Sequence, residues 1–370
     1  MKRILTLDGG GIHGVLTLQI LKKIEQELAP RYAGQKSRFV LADHFHLIAG
    51  TSTGAIIASM LAWGASTDEI EQFYVEKSPE IFVSSSVVRR LIYNRFTSTG
   101  ITRFLQNYFA EQDGSPAQLG TKRLRTLLLL VLRNATTGSP WPVTNCPDSL
   151  YNRRPPGQSN LELPLWQLIR ASTAAPTFFP PQRILIANAR NEQKSHQFID
   201  GGVSPYNNPA YLAYLMATLP EYCIRFPRGT DKLTVVSVGV GQRAMMYNED
   251  DVQDMSVISH AKATIRALMD ADSRLQDILC RTTGLCLFGS ELDREVKALT
   301  PTTEEDLAAA RRERQFTYVR YNHVYSEPEV KATIARLGGK WDLANLKLIP
   351  VAIEAGRAYA ERHVRGEHLL

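Results

Sequence analysis

Apolar residues in the first part of the chain switch repeatedly between a strand-like run and a helical period. Residues 4 to 7, ILTL, form a short apolar run that meets Asp8 and three glycines. Beyond them Val15, Leu18, Leu21, Ile24 and Leu28 recur at helical spacing until Pro30. This predicts a strand, a tight turn and a helix. The sequence HFHLIAG, residues 44 to 50, predicts a second strand; it runs through Thr51-Ser52-Thr53-Gly54 into the apolar helix AIIASMLAW, ended by Gly64. Ser66 with Glu69 has the spacing of a capping box and opens a further helix through Glu71, Phe73 and Tyr74. TLLLLVL, residues 126 to 132, is apolar throughout, as a strand buried on both faces is in a parallel sheet. A long irregular connection is expected over 133 to 165, then a helix from 165 to 174 broken by Pro176. Further strands are expected at 183 to 187, 196 to 199, 233 to 238 and 316 to 321, and helix from Glu327 onward. Strands alternating with helices indicate an α/β fold, a mostly parallel central sheet flanked by helices.

The 370 residues are 44% hydrophobic and 22% charged, so a packed core is expected and disorder is not. A net charge of +6 is mild, and its densest points are pairs such as Arg89-Arg90 and Arg153-Arg154. These read as solvated faces, and the arginines do not interleave with aromatics as a nucleic-acid platform requires. Cys146, Cys223, Cys280 and Cys286 show no CxxC spacing and read as reduced thiols. No signal-like or membrane-spanning apolar run is seen, so a cytoplasmic protein touching membranes only peripherally is expected.

The candidate chemistry lies in the turns. Gly9-x-Gly11-x-x-Gly14 has dinucleotide-fingerprint spacing, and a strand-to-helix turn with bare amides suits an anion. The acidic residue that a dinucleotide fold needs about 20 positions on is missing from LAPRYAGQKSRF, and Asp8 sits badly beside a pyrophosphate. Transient oxyanion stabilisation is the better use of the loop. Gly50-Thr51-Ser52-Thr53-Gly54 matches G-x-S-x-G between a strand and a helix, where a serine is forced outward as a nucleophile. His260 or His323 could complete an α/β-hydrolase order after Asp200, but only two strand signals precede Ser52, too few for that fold. The better partner is Asp200 in Phe198-Ile199-Asp200-Gly201-Gly202, a strand ending in an acid. His44-x-His46 lacks a third ligand, so no metal is expected, and no organic cofactor either.

DGGGIHG, GTSTG, RASTAAPTFFPP at 170 to 181, FIDGG and VVSVGVG at 235 to 241, in this order, resemble the patatin-like phospholipases. The resemblance implies a Ser-Asp dyad on a patatin-like fold. Ser52 would attack a fatty-acyl ester, Asp200 would act as base, and the amides of Gly9, Gly10 and Gly11 would form the oxyanion hole. Gly50, Gly54, Gly201 and Gly202 would give the turns their close packing. Ala171, Ser172, Ala174 and Ala175 would pack beside the nucleophile. The chain departs from the family at His13, where Arg or Lys is usual; an imidazole with a pKa near ~6.5 brings no fixed charge at pH 7.

The expected partner is membrane phospholipid. Some bacterial members of that family are antiphage effectors switched on by cyclic nucleotides. The length and C-terminal helices are compatible with that group, which adds a cyclic-nucleotide activator and a homo-oligomer to the expectations. The rival from another class is a non-catalytic lipid-binding or scaffold protein on the same fold, which the presence of both Ser52 and Asp200 disfavours. Residues 83 to 109 mix Val87, Val88, Leu91, Ile92, Phe96, Phe104, Leu105, Tyr108 and Phe109 with Arg89, Arg90, Arg95 and Arg103. They could lie on a bilayer, cover the site or pack into the core. A catalytic domain over 1–325 and a helical extension over 326–370 packed on it are the expected units.

Overall fold

The chain is described by a computed structural model covering residues 1–35, 38–81, 96–188, 190–243, 257–337, 341 and 344–369. Strand β1 (Lys2–Leu7) lies inside the sheet, and the glycine turn after it leads into helix α1 (Gly14–Leu28). Strand β2 (Leu47–Thr51) turns at Ser52 into α2 (Thr53–Trp63). Gly64 ends α2 in the left-handed conformation that glycine adopts most easily, at φ 99°. The capping box then opens α3 (Thr67–Ile81): Ser66 N donates to Glu69 Oε2 at 2.7 Å, and Glu69 N donates to Ser66 Oγ at 3.3 Å.

Helix α4 (Thr99–Tyr108) is followed by β3 (Leu127–Asn134), β4 (Ser139–Thr144), α5 (Leu165–Ser172), β5 (Gln182–Ala187) and β6 (Gln193–Asp200). Then come α6 (Ala210–Thr218), β7 (Leu233–Val238), α7 (Val257–Thr283), β8 (Leu285–Phe288), α8 (Glu304–Glu313), β9 (Thr317–Tyr321), α9 (Glu327–Leu337) and α10 (Ile349–His363). Among the described residues one sheet runs in the order β5-β6-β3-β2-β1-β7-β9-β8, with β4 beside β3. The six strands from β3 to β8 in that order are parallel, while β4 and β6 pair antiparallel with β3, and β5 pairs antiparallel with β6.

Residues alternate across this sheet as its pleat requires. Leu5, Leu7, Ile48, Leu128 and Leu130 bury into one layer with α1, α2 and α5; Ile4, Leu47, Ala49, Leu129 and Val131 bury into the other with α6. The all-apolar run of β3 is thus covered on both sides. Helix α10 packs against α1, where a Cβ at Gly356 would come within 3.0 Å of Leu16 and Gln19, so glycine permits the close crossing.

One expectation changes and two are narrowed. The 133 to 165 connection holds β4, whose Pro140 and Pro142 cannot donate to a ladder; it pairs with β3 alone, as an edge strand. The expected strands at 183 to 187 and 196 to 199 form as β5 and β6, β6 pairing antiparallel with both β3 and β5 in an otherwise mostly parallel sheet. Within residues 83 to 109, positions 82–95 lie outside the described residues; beyond them Phe96, Ile101, Leu105 and Phe109 are buried and Phe104 stacks on Phe73 at 3.9 Å, so this half packs into the core.

A buried ion pair fastens α7 to the loop after β8. Arg281 grips Asp277 through Nε and Nη2, both at 2.8 Å, and its Nη1 donates to the carbonyls of Ser290 and Ala298. Tyr318 OH donates to the same Asp277 carboxylate at 3.0 Å. Replacing Arg281 by methionine leaves that carboxylate buried with one partner fewer, so a loss of about 3–5 kcal/mol is predicted. Urea denaturation measures it, and a loss below about 1 kcal/mol would contradict a structural role for the pair.

Candidate active site

Strand β2 hands Ser52 to the site in a strained conformation. Its φ of 54° and ψ of −122° are rare for any residue but glycine, and they turn the hydroxyl outward between the end of β2 and the first turn of α2. Tight packing holds this turn down. A Cβ at Gly54 would collide with the carbonyl oxygens of Leu7 and Asp8, so only glycine lets α2 begin directly beneath the loop that follows β1. Ser172, fully buried at the end of α5, accepts from Ser52 N at 2.9 Å and donates to the Val131 carbonyl at 2.7 Å.

Asp200 arrives from the other direction. On one edge of β3, β2 pairs as far as Thr51 opposite Val131. The next position, Leu132, pairs with Asp200 of the antiparallel β6. Val131 and Leu132 both pair with β4 on their other side, so β2 and β6 share a single edge and meet end to end. The side chains close the gap: Ser52 Oγ donates to Asp200 Oδ2 at 2.6 Å. Asp200 Oδ1 accepts from Gly202 N at 2.7 Å, and Asp200 N donates to the Ala174 carbonyl at 3.0 Å. Burial pushes the Asp200 carboxyl up to about 6, against the lowering effects of the Ser52 and Gly202 hydrogen bonds and the charge of Arg170. Arg170 is itself buried, which lowers it to about 10, and donates through Nη2 to the Pro180 carbonyl.

The three glycines do not contribute alike. Gly9 N donates to the Asn207 carbonyl at 3.0 Å and Asn207 Nδ2 donates back to the Gly9 carbonyl at 3.3 Å. The Gly9 amide is therefore engaged, and the expected set of donors narrows to Gly10 and Gly11, whose amides have no acceptor among the described residues. The side chain of His13, the departure from the family pattern, is buried with its ring stacked on Trp341 at 5.5 Å. Position 13 therefore seats Trp341. His44 and His46 serve the packing as well: His44 Nδ1 shares a hydrogen bond with Tyr32 OH at 2.9 Å, and His46 Nδ1 accepts from Arg3 N at 3.2 Å.

Several contributors were not visible in the sequence. Asn207 and Tyr206 follow Asp200 in a loop that ties both halves together, Thr51 Oγ1 donating to the Tyr206 carbonyl at 2.7 Å. A run of Pro and Asn before an apolar helix was their only signal. Asp8 is held by Arg320, 312 residues away: Nη1 meets Oδ1 at 2.9 Å and Nη2 meets Oδ2 at 2.6 Å, and Nη1 also meets Ser237 Oγ at 2.7 Å. Burial pushes the Asp8 carboxyl up while the guanidinium draws it back.

The family model described as patatin-like phospholipase matches residues 5–214, from β1 through the elbow and Asp200 into α6. Patatin-17 of Solanum cardiophyllum is 25% identical over 323 residues, 82% of this chain and 78% of its own length. Patatin-like protein 2 of Oryza sativa subsp. indica is 29% identical over 65% of this chain, and patatin-like protein 1 of Arabidopsis thaliana 28% over 69%. The matches span 61% and 63% of those two relatives, less than two thirds of their lengths. The solved structure of VipD from Legionella pneumophila is similar at a TM-score of 0.40 and 13% identity, over 98% of this chain and 66% of that one. With more than half of its residues matched by the family model, the chain belongs to the patatin-like phospholipase family.

Proposed function

We propose that the protein is a lipid acyl hydrolase that cleaves fatty-acyl esters of membrane phospholipids with Ser52 and Asp200. The observation that carries this reading is the 2.6 Å hydrogen bond between Ser52 Oγ, on its strained turn, and the buried Asp200 carboxylate. A second support is the pair of Gly10 and Gly11 amides in the adjoining loop. As the serine oxygen attacks the ester carbonyl, its proton passes to Asp200 Oδ2 and the new oxyanion is met by those amides. Collapse of the tetrahedral intermediate expels the alcohol, which takes the proton from Asp200. Water then attacks the acyl-serine while Asp200 accepts its proton; the fatty acid leaves as Ser52 recovers a proton from Asp200. A carboxyl raised by burial is a stronger base than a solvated one, so the dyad needs no histidine.

Fatty-acid release from mixed phospholipid liposomes tests the reading. The wild type is expected to release fatty acid, and Ser52→Ala and Asp200→Asn to lose at least about a thousandfold in rate while remaining folded. Activity surviving in both variants would contradict the dyad. Adding a panel of cyclic nucleotides to the same assay tests the second-messenger expectation, which stimulation supports and unchanged release contradicts.

The acid limb of the pH profile follows from Asp200. The carboxylate form is the base, and its pKa of about 6 places the fall in kcat/KM below that pH, roughly tenfold per unit. The sign for stability is opposite to that of a salt-bridged acid. Because the folded pKa lies above the ordinary 3.8, ionisation costs stability, a penalty complete above about pH 6 and absent below 3.8. A kcat/KM that stays level down to pH ~4 would remove Asp200 from the mechanism.

Ser172→Ala deprives Ser52 N and the Val131 carbonyl of a shared buried partner, for a predicted cost of about 1–3 kcal/mol. Looser placement of the nucleophile should lower kcat by about tenfold. Calorimetry and steady-state kinetics check the two effects, and wild-type kcat in the variant would show that the elbow holds without this bridge.

A further inference from the structure

Arg320 lies on β9, more than a hundred residues beyond the stretch matched by the family model. Its side chain and that of Asp8 are both almost wholly buried, at 4% and 5% exposure. The guanidinium crosses β7, engaging Ser237 Oγ on the way, and closes on both oxygens of the Asp8 carboxylate. Asp8 occupies a critical position. Its carbonyl overlies Gly54 at the start of α2, its N donates to the Val238 carbonyl, and the next three residues are Gly9, Gly10 and Gly11. A lone carboxylate there would set a fixed negative charge beside amides that must receive a developing one.

We infer that Arg320 is a positioning residue for the reaction: it fixes the glycine loop through Asp8 and cancels the charge Asp8 would otherwise direct against the oxyanion. This rests on the hydrolase reading above. Fixing the loop needs the planar fork, because two parallel bonds set the orientation of the carboxylate as well as its distance. Cancelling the charge needs only a cation. Lysine supplies the second without the first, and removing both charges restores neutrality without the fork.

The test is hydrolysis of a soluble p-nitrophenyl butyrate ester, with kcat and KM normalised to the folded fraction from near-UV circular dichroism. Arg320→Lys is expected to lower kcat about tenfold with KM within about twofold, since the fork acts in the transition state rather than in ester binding. Arg320→Met, with a bare carboxylate behind the loop, should lose about a hundredfold or more. The double variant Asp8→Asn/Arg320→Met should regain about tenfold of that loss, a recovery that mere loss of packing would not produce. If Arg320→Met fails to fold, the lysine and double variants decide the matter. Unchanged kcat per folded molecule in Arg320→Lys, a double variant no faster than Arg320→Met, or, where Arg320→Met does not fold, a double variant far slower than Arg320→Lys, overturns the inference. Ser52→Ala runs alongside: a wild type no faster than Ser52→Ala defeats the hydrolase reading and this inference together, whereas a normal wild type with indifferent Arg320 variants defeats the inference alone.

Discussion

Two strands pointing at each other along one edge of β3 make the site. β2 climbs that edge and stops at Thr51 opposite Val131; β6 descends it and stops at Asp200 opposite Leu132. The serine and the carboxylate therefore meet because of ladder register, before any side-chain rotamer is chosen. A one-residue slip would exchange every buried side chain between the two layers and carry Asp200 away from Ser52. Leu128 to Val131 are apolar on both faces, so close contacts pin the register instead: Ser172 Oγ donates to the Val131 carbonyl at 2.7 Å, and a Cβ at Gly201 would come within 2.2 Å of that same oxygen. Core packing and the geometry of the proposed dyad are in this sense one constraint.

Around that junction several buried polar groups are paired so that they fix backbone. Ser172 joins the elbow to β3, Asn207 clasps Gly9 from both sides, and Arg320 holds Asp8. The glycine turn after β1 and the elbow after β2 lie at the carboxyl ends of adjacent parallel strands, where open α/β sheets gather their sites. Asp200 is the exception, delivered by an antiparallel strand. Burial at that meeting point excludes the solvent that would otherwise keep the carboxyl near its ordinary value, and so the same packing that sets position also sets basicity.

Much of this was legible in the residues. The strand-turn-helix reading of LTLDGGGIHG and GTSTG follows from apolar period and small-residue turns, and those local rules held because β1 and β2 are buried on both faces. The capping box at Ser66 and Glu69 is equally local and closed as expected. What escaped depends on partners far apart in the chain. β4 is hidden by its prolines, and the antiparallel sense of β6 is set by pairing across the sheet. The occupation of the Gly9 amide depends on Asn207, and the Asp8 clamp on a residue 312 positions away. Composition around Arg320 or Asn207 gives no hint of either contact. His13 was legible as a departure from the family pattern, but its stacking on Trp341 joins residues 328 positions apart.

The central claim is that Ser52 is made nucleophilic by Asp200, and the most direct measurement is covalent labelling by a fluorophosphonate followed by peptide mass spectrometry across pH ~5 to 8. A single adduct on Ser52, forming more slowly as pH falls through about 6 and not forming in Asp200→Asn, is the predicted result. Absence of an adduct at Ser52 while ester hydrolysis continues, or a labelling rate indifferent to both pH and the Asp200 substitution, would contradict it.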